Sequence, residues 1–351
     1  MTSQFVLPDA LASWPWSRQL SDYYEEAKDE SAAWTESFRP FDAKGLAKFN
    51  VCDPNLLSAL TFSTRNKDII RLGCDLLNIS FVYDEHTDIL DEAGTLKMNQ
   101  IISDVFRDST KPRPQGENCL GAMVQDFCLR AATISSSDAS CLKHLTSHFE
   151  AFTAAVVREA NDRSNFRQRS FDEYLAIRRD TSGVLPNFAL VEFGLDIPDA
   201  VLEHPVLLSL RDSANDITSI LNDLYSYAME KSRGLDDHNS ITVIMREHKL
   251  NLQDAVNWIG RYADSCVDKF LSEMRHVPSF GPEIDEKVKI YIDGLGQWVR
   301  GSDDWSFENQ RYFGPTGLSL KENRVMSLLP PSQGCIPKTA EASAYKDSHK
   351  L

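Results

Sequence analysis

Along most of this chain apolar residues recur three and four positions apart, the spacing that gathers them on one stripe of a helix. Alternating apolar and polar runs bounded by turn residues, the mark of strands, are scarce. The longest helical pattern opens after Ser63-Thr64 and continues through NKDIIRLGCDLLNISFVY to about residue 89. Its middle, with Leu76, Leu77, Ile79, Phe81 and Val82, is apolar on nearly every side, which predicts a helix buried at the centre of others. A second pattern begins at Pro205, suited to a first helical turn, runs through VLLSLRDSANDITSILNDLYSYAMEKSR and stops at Gly234. Shorter helices are expected over 118–133, 138–160, 171–182, 252–275 and 283–300. Ser109–Asn118, with Pro112, Pro114 and Gly116 and no apolar residue, reads as a loop. No fixed-period repeat is present, and from residue 326 onward apolar periodicity fades. The expectation is one all-α domain over 1–325, a helical bundle around a central apolar cavity, with a disordered tail over 326–351.

Composition narrows the function. The 351 residues are 42% hydrophobic and 25% charged, enough to bury a sizeable core. No apolar run approaches the roughly 20 residues that span a bilayer, and MTSQFVLPDALASWPW lacks a basic segment followed by an apolar one. Seven cysteines without CxxC pairs fit free thiols in a reducing compartment, and a cytoplasmic location is expected. A net charge of −15 argues against a nucleic-acid partner. It would also repel an anionic small substrate unless cations are recruited locally.

The segment FVYDEHTDIL carries the first concentrated chemistry. On a helix Asp84 and Asp88 lie one turn apart, offset by about 40° around the axis, so both carboxylates point toward one ligand. Glu85 adjoins them, and Phe81 lies one turn below on the same face. Acids at a helix C-terminus oppose the helix dipole and repel each other, and a hard divalent cation such as Mg²⁺ resolves both problems. A solvated acidic helix end is the bland alternative, but such an end rarely follows a run as apolar as LLNISFVY.

The second helix carries Asn222, Ser226 and Glu230, a slowly drifting stripe of amide, hydroxyl and carboxylate oxygens, again suited to Mg²⁺. Lys231 comes next and could meet a phosphate oxygen as a point charge. By itself NxxxSxxxE also fits an ordinary hydrophilic face. Two oxygen stripes on two long central helices describe two walls of one cavity.

With these residues the sequence resembles the class I terpene synthases, and closely the basidiomycete fungal sesquiterpene synthases. DEHTD at Asp84–Asp88 matches the aspartate-rich motif, with Glu85 where many relatives have a second Asp. NDLYSYAME at Asn222–Glu230 matches the NDxxSxxxE motif, and Arg311-Tyr312 the RY pair that touches diphosphate. Arg178-Arg179-Asp180-Thr181-Ser182-Gly183 matches the RRxTxG stretch on a kinked helix, and FVLPDALASWPW the opening of the fungal branch. The resemblance implies metal ligation by Asp84, Asp88, Asn222, Ser226 and Glu230. It further implies Arg179 as diphosphate sensor, with Arg178 the competing choice, Ser182 as linker and Gly183 as the effector whose carbonyl faces the breaking bond.

By the same resemblance, three Mg²⁺ ions, Arg179, Lys231, Arg311 and Tyr312 would neutralise the diphosphate of farnesyl diphosphate. The allylic cation left behind would cyclise in a dry pocket, with Phe81 as first candidate for its lining and Phe188, Trp298 and Trp305 behind it. The WPW opening and DEHTD look most like the branch making 1,11-cyclised products such as protoilludene, and 1,10-closure stays open. A chain-elongating prenyltransferase of the same fold would carry a second aspartate-rich motif where Asn222/Ser226/Glu230 stands, and a non-catalytic scaffold would not need both stripes intact. Either a monomer or a homodimer is compatible with the sequence. His144 and His148, one turn apart without a metal-site context, are read as surface histidines.

Overall fold

Helix-forming stripes dominate because the chain buries one apolar face after another against a shared centre, and the computed structural model describes residues 4–332 apart from 89 and 136–138. The helices are α1 (Tyr24–Ser37), α2 (Ala43–Asn50), α3 (Pro54–Thr61), α4 (Lys67–Thr87) and α5 (Glu92–Arg107). They continue with α6 (Cys119–Ile134), α7 (Ala139–Ser164), α8 (Phe171–Thr181), α9 (Val184–Glu192) and α10 (Asp199–Leu202). The last are α11 (Pro205–Arg233), α12 (Ser240–His248), α13 (Leu252–Glu273), α14 (Pro282–Glu308) and α15 (Gly317–Asn323).

The two long helices expected from the pattern are α4 and α11. Leu72, Leu76, Ile79 and Val82 of α4 and Leu210, Ile217, Ile220 and Leu224 of α11 are fully buried. Asn66 caps α4 by accepting from the Ile69 amide. Pro205 opens α11, and Gly234 ends it in the left-handed region at φ 75°. Around these two, α3 and α14 pack closely enough that Gly301 touches backbone: a Cβ there would lie 2.6 Å from the Leu60 carbonyl carbon. Gln297 Nε2 also donates to Leu60 O at 3.0 Å.

Helix α14 runs eight residues beyond its expected end at 300, because Trp305 and Phe307 remain apolar anchors and both are buried. The tail departs from expectation too. Val325–Ser327 forms a strand, β2, antiparallel to β1 (Gln4–Val6), with Phe5 opposite Met326 and both 2% exposed. Farther along, Ser332 donates to Ser232 O from its amide at 2.8 Å. Order therefore extends past 326, since a three-residue strand gains its hydrogen bonds from a partner at the other end of the chain; residues 333–351 lie outside the described part. Among the described residues no helix is long and apolar enough to cross a membrane.

Candidate active site

Helix α4 delivers Asp84 from its last turn and Asp88 from its C-cap, and α11 carries Asn222, Ser226 and Glu230 in its C-terminal half. The structure brings Asp84, Asp88, Asn222 and Glu230 to one cavity of about 170 Å³, together with Glu159, Arg163, Arg178, Ser182, Arg233 and Arg311. A neighbouring cavity of about 650 Å³ shares Asp88, Met229, Arg233, Leu235 and Arg311 and adds Glu85, Phe41 and Phe49.

The two walls are bridged by the segment after α14. Arg311 Nη2 donates to Asp84 Oδ2 at 3.2 Å and Nη1 to Glu85 Oε1 at 3.4 Å. The next residue reaches the other wall, where Tyr312 Oη accepts from Asn222 Nδ2 at 2.9 Å. Arg233 Nη2 lies 3.4 Å from Asp88 Oδ2, joining the end of α11 to the end of α4.

Three expected positions differ. Arg179 turns away from the cavity and pairs with Asp216, with Nε 2.6 Å from Oδ1 and its side chain 40% exposed. Arg178 faces the cavity instead, with Nε donating to Asp223 Oδ1 at 2.9 Å and Nη2 to Asn222 Oδ1 at 2.8 Å. Consecutive helix residues point about 100° apart, so the two arginines meet α11 at different turns, Arg178 at Asn222-Asp223 beside the cavity and Arg179 at Asp216 away from it. By the same rule Lys231 leaves the stripe of Glu230. Its ammonium sits 3.3 Å from Asp236 and over the Tyr227 ring, and Arg233 supplies the cation near Asp88 instead.

Phe81 is the third. Its ring lies under the Arg311 guanidinium, 5.1 Å from centroid to carbon, and edge-on to Trp305, so it supports the arginine and is not among the residues lining the smaller cavity. Phe188 and Trp298 are buried and packed edge-to-face on each other.

The break between α8 and α9 falls at Gly183, whose φ of 68° is a left-handed conformation natural to glycine. Ser182 Oγ donates to Asn215 Oδ1 at 3.0 Å, and Asn187 Nδ2 donates to the Gly183 carbonyl at 2.8 Å. The kink is thus braced by α9 and α11 side chains.

Residues 75–269 match the family described as terpene synthase family 2, C-terminal metal binding. The chain belongs to this family. It is similar to sesquiterpene synthase Agr9 of Cyclocybe aegerita, 55% identical over 341 residues covering 97% of this chain and 92% of the relative. It is also 40% identical to a Delta(6)-protoilludene synthase of Stereum hirsutum over 328 residues, 93% of this chain and 88% of that one. Among solved structures, a linalool/nerolidol synthase from Streptomyces clavuligerus superposes with a TM-score of 0.75 at 17% identity, over 84% of this chain and 99% of that one. An α-eudesmol synthase gives 0.74 at 19% identity, over 84% and 97%. At such low identity these two show the shared helical fold.

Electrostatics in this terpene synthase favour metal. Burial, and then the Asp84 carboxylate, push Asp88 well above the usual carboxylate range, with Arg233 opposing. Burial, and then Asp223, push Glu230 up to about 7. Divalent cations would relieve both. Among the described residues no three His, Cys, Asp or Glu side chains form a ready ion cage. The candidate ligands are instead divided between two walls, and Asn222 and Ser226 add neutral oxygens. Ser226 is buried beside Glu230, where its hydroxyl favours the charged carboxylate, and it does not itself line the smaller cavity. Asn222 Oδ1 has a second lone pair beside the one that Arg178 uses. The donor set is oxygen-only and fits Mg²⁺.

Proposed function

We propose that this protein is a sesquiterpene synthase that ionises farnesyl diphosphate with three Mg²⁺ ions and closes the cation to a protoilludene-type skeleton. The single observation that carries the reading is the bridge at Arg311-Tyr312. One dipeptide touches Asp84 on the first wall and Asn222 on the second, so both motifs address one ligand-sized space.

Mg²⁺, held by Asp84 and Asp88 on one side and by Asn222, Ser226 and Glu230 on the other, would supply Lewis-acid stabilisation of the departing diphosphate. The chain's own part is donation and exclusion. Arg178, Arg233, Arg311 and the Tyr312 hydroxyl surround the cavity with donors that can meet diphosphate oxygens as negative charge develops. Arg311, held between the Phe81 ring and two carboxylates, is oriented before substrate arrives. The Gly183 carbonyl, at the helix break and already accepting from Asn187 Nδ2, is the candidate dipole toward the nascent cation. The acidic protein thereby concentrates cations, and the cations concentrate an anionic substrate.

The sesquiterpene and protoilludene assignments rest on the similarity to proteins so named. A cytoplasmic location is proposed from the free thiols of Cys52, Cys74, Cys119, Cys128, Cys141 and Cys266. The test is incubation of purified protein with farnesyl or geranylgeranyl diphosphate and Mg²⁺, with volatiles identified by mass spectrometry and released diphosphate measured. A C15 hydrocarbon formed only with metal is expected. A longer prenyl diphosphate formed when isopentenyl diphosphate is added, or no diphosphate release, would refute the proposal.

A further inference from the structure

Asn239 lies outside every motif described above, in the turn after α11, yet it is completely buried. Its side chain uses every hydrogen it has. Nδ2 donates to the Asp223 carbonyl at 2.8 Å and to Glu230 Oε2 at 3.0 Å. Its Oδ1 accepts from the Ile241 amide at 3.0 Å and caps α12. Rotating the amide by half a turn would set its oxygen against two acceptors and its nitrogen against a donor, so the network admits one orientation.

The two acceptors lie seven residues, about two turns, apart on α11. One belongs to the residue that holds Arg178 and the other is the carboxylate that closes the α11 stripe. Asp223 also receives Tyr174 Oη and the Ser240 amide, so the start of α12 touches both halves of the α11 wall.

We propose that Asn239 is a positioning residue for metal binding: by holding Glu230 Oε2 from behind, it presets the Glu230 carboxylate toward the cavity. This rests on the reading of Glu230 as a Mg²⁺ ligand. A hydrogen-bond partner behind a ligand fixes its rotamer, and its loss typically costs about 10- to 100-fold in metal affinity.

The test separates cap from donor. In Asn239→Ser the hydroxyl can still cap α12 but cannot span to Glu230; Asn239→Asp keeps the original shape and the cap while replacing the donor with an acceptor. Binding is read as the thermal upshift of each protein titrated with Mg²⁺ in the presence of inorganic diphosphate. Mg²⁺ half-saturation for diphosphate release from farnesyl diphosphate is measured beside it.

Both readouts are expected to move about 10- to 100-fold toward higher Mg²⁺ in the variants, with kcat at saturating metal falling less than that. Half-saturation equal to wild type, a loss confined to kcat, or failure of both variants to fold would overturn the proposal and leave Asn239 a structural cap. If wild-type protein itself gains no stability from Mg²⁺ and diphosphate, the assignment of the site fails instead.

Discussion

Arg178 and Arg179 are adjacent, identical in chemistry and opposite in surroundings, which makes their exchange for lysine an informative experiment. In Arg178→Lys the charge remains but the fork is lost. The ammonium can replace at most one of the contacts to Asp223 Oδ1 and Asn222 Oδ1, at 2.9 and 2.8 Å. One hydrogen bond to a charged group is worth about 1.5–3 kcal/mol. With an unfolding entropy of about 2.1 cal/mol/K per residue, 351 residues give roughly 1.4 °C per kcal/mol, so the melting temperature should fall by about 2–4 °C. Asp223 keeps the Tyr174 hydroxyl and the Ser240 amide, so the fold survives. Turnover should drop more, by about 10²–10³, the usual cost of removing one pre-aimed donor from a developing anion. Arg179→Lys disturbs a pair with Asp216 whose arginine is 40% exposed. The pair is bidentate and its carboxylate is 7% exposed, so stability should fall by about 1–3 kcal/mol, but neither side chain lines the cavity and turnover should stay within about threefold of wild type. A diphosphate-release assay with farnesyl diphosphate and saturating Mg²⁺, beside circular dichroism melts, measures both. If Arg179→Lys proved the more damaging, or Arg178→Lys turned over within about threefold of wild type, the assignment of the cavity arginine would be wrong.

Asp84→Asn should cripple turnover while far-UV helicity is retained, because Asp84 sits at the cavity mouth with its side chain half exposed; full activity would contradict its metal role. Gly301→Ala should lower stability by about 2 kcal/mol or more in thermal melts, since the added Cβ meets Leu60 backbone at 2.6 Å; an unchanged melting temperature would show that α3 and α14 can separate. His148, expected at the surface, is partly buried, and burial first, then Arg211 and His144, depress its pKa to about 4, with Asp212 opposing. The unfolded chain therefore takes up a proton near pH 6.5 that the folded one refuses until about pH 4, so stability falls as pH drops through that window by up to about 3 kcal/mol. His148→Asn should flatten this acid limb, and identical limbs in acid titrations of wild type and variant would refute the assignment.

Pro205 and Gly234 bound α11 as expected, because a ring without an N–H and a residue free to adopt positive φ act locally. The start of α3 at Asp53-Pro54 rests on a similar local signal, with the Asp53 side chain accepting from the Leu56 amide at 3.0 Å, but its eight residues are too short for apolar periodicity to single them out. Covalent spacing alone aligned Asp84 with Asp88, and Asn222 with Ser226 and Glu230, since a helix turns by a constant angle.

Which way a helix faces is a different kind of question, settled by packing between distant segments. The choice between Arg178 and Arg179, the turning of Lys231 toward Asp236, the support of Arg311 by Phe81, and the pairing of Gln4–Val6 with Val325–Ser327 all depend on packing that no local pattern encodes. Sequence by itself determined the long central helices, the chemistry they carry and the family, but not α1, α2, α3, α5, α9 or α12. Tertiary structure decided which neighbouring side chain enters the cavity, because contacts between segments far apart in the chain leave no periodic trace in the residues that make them.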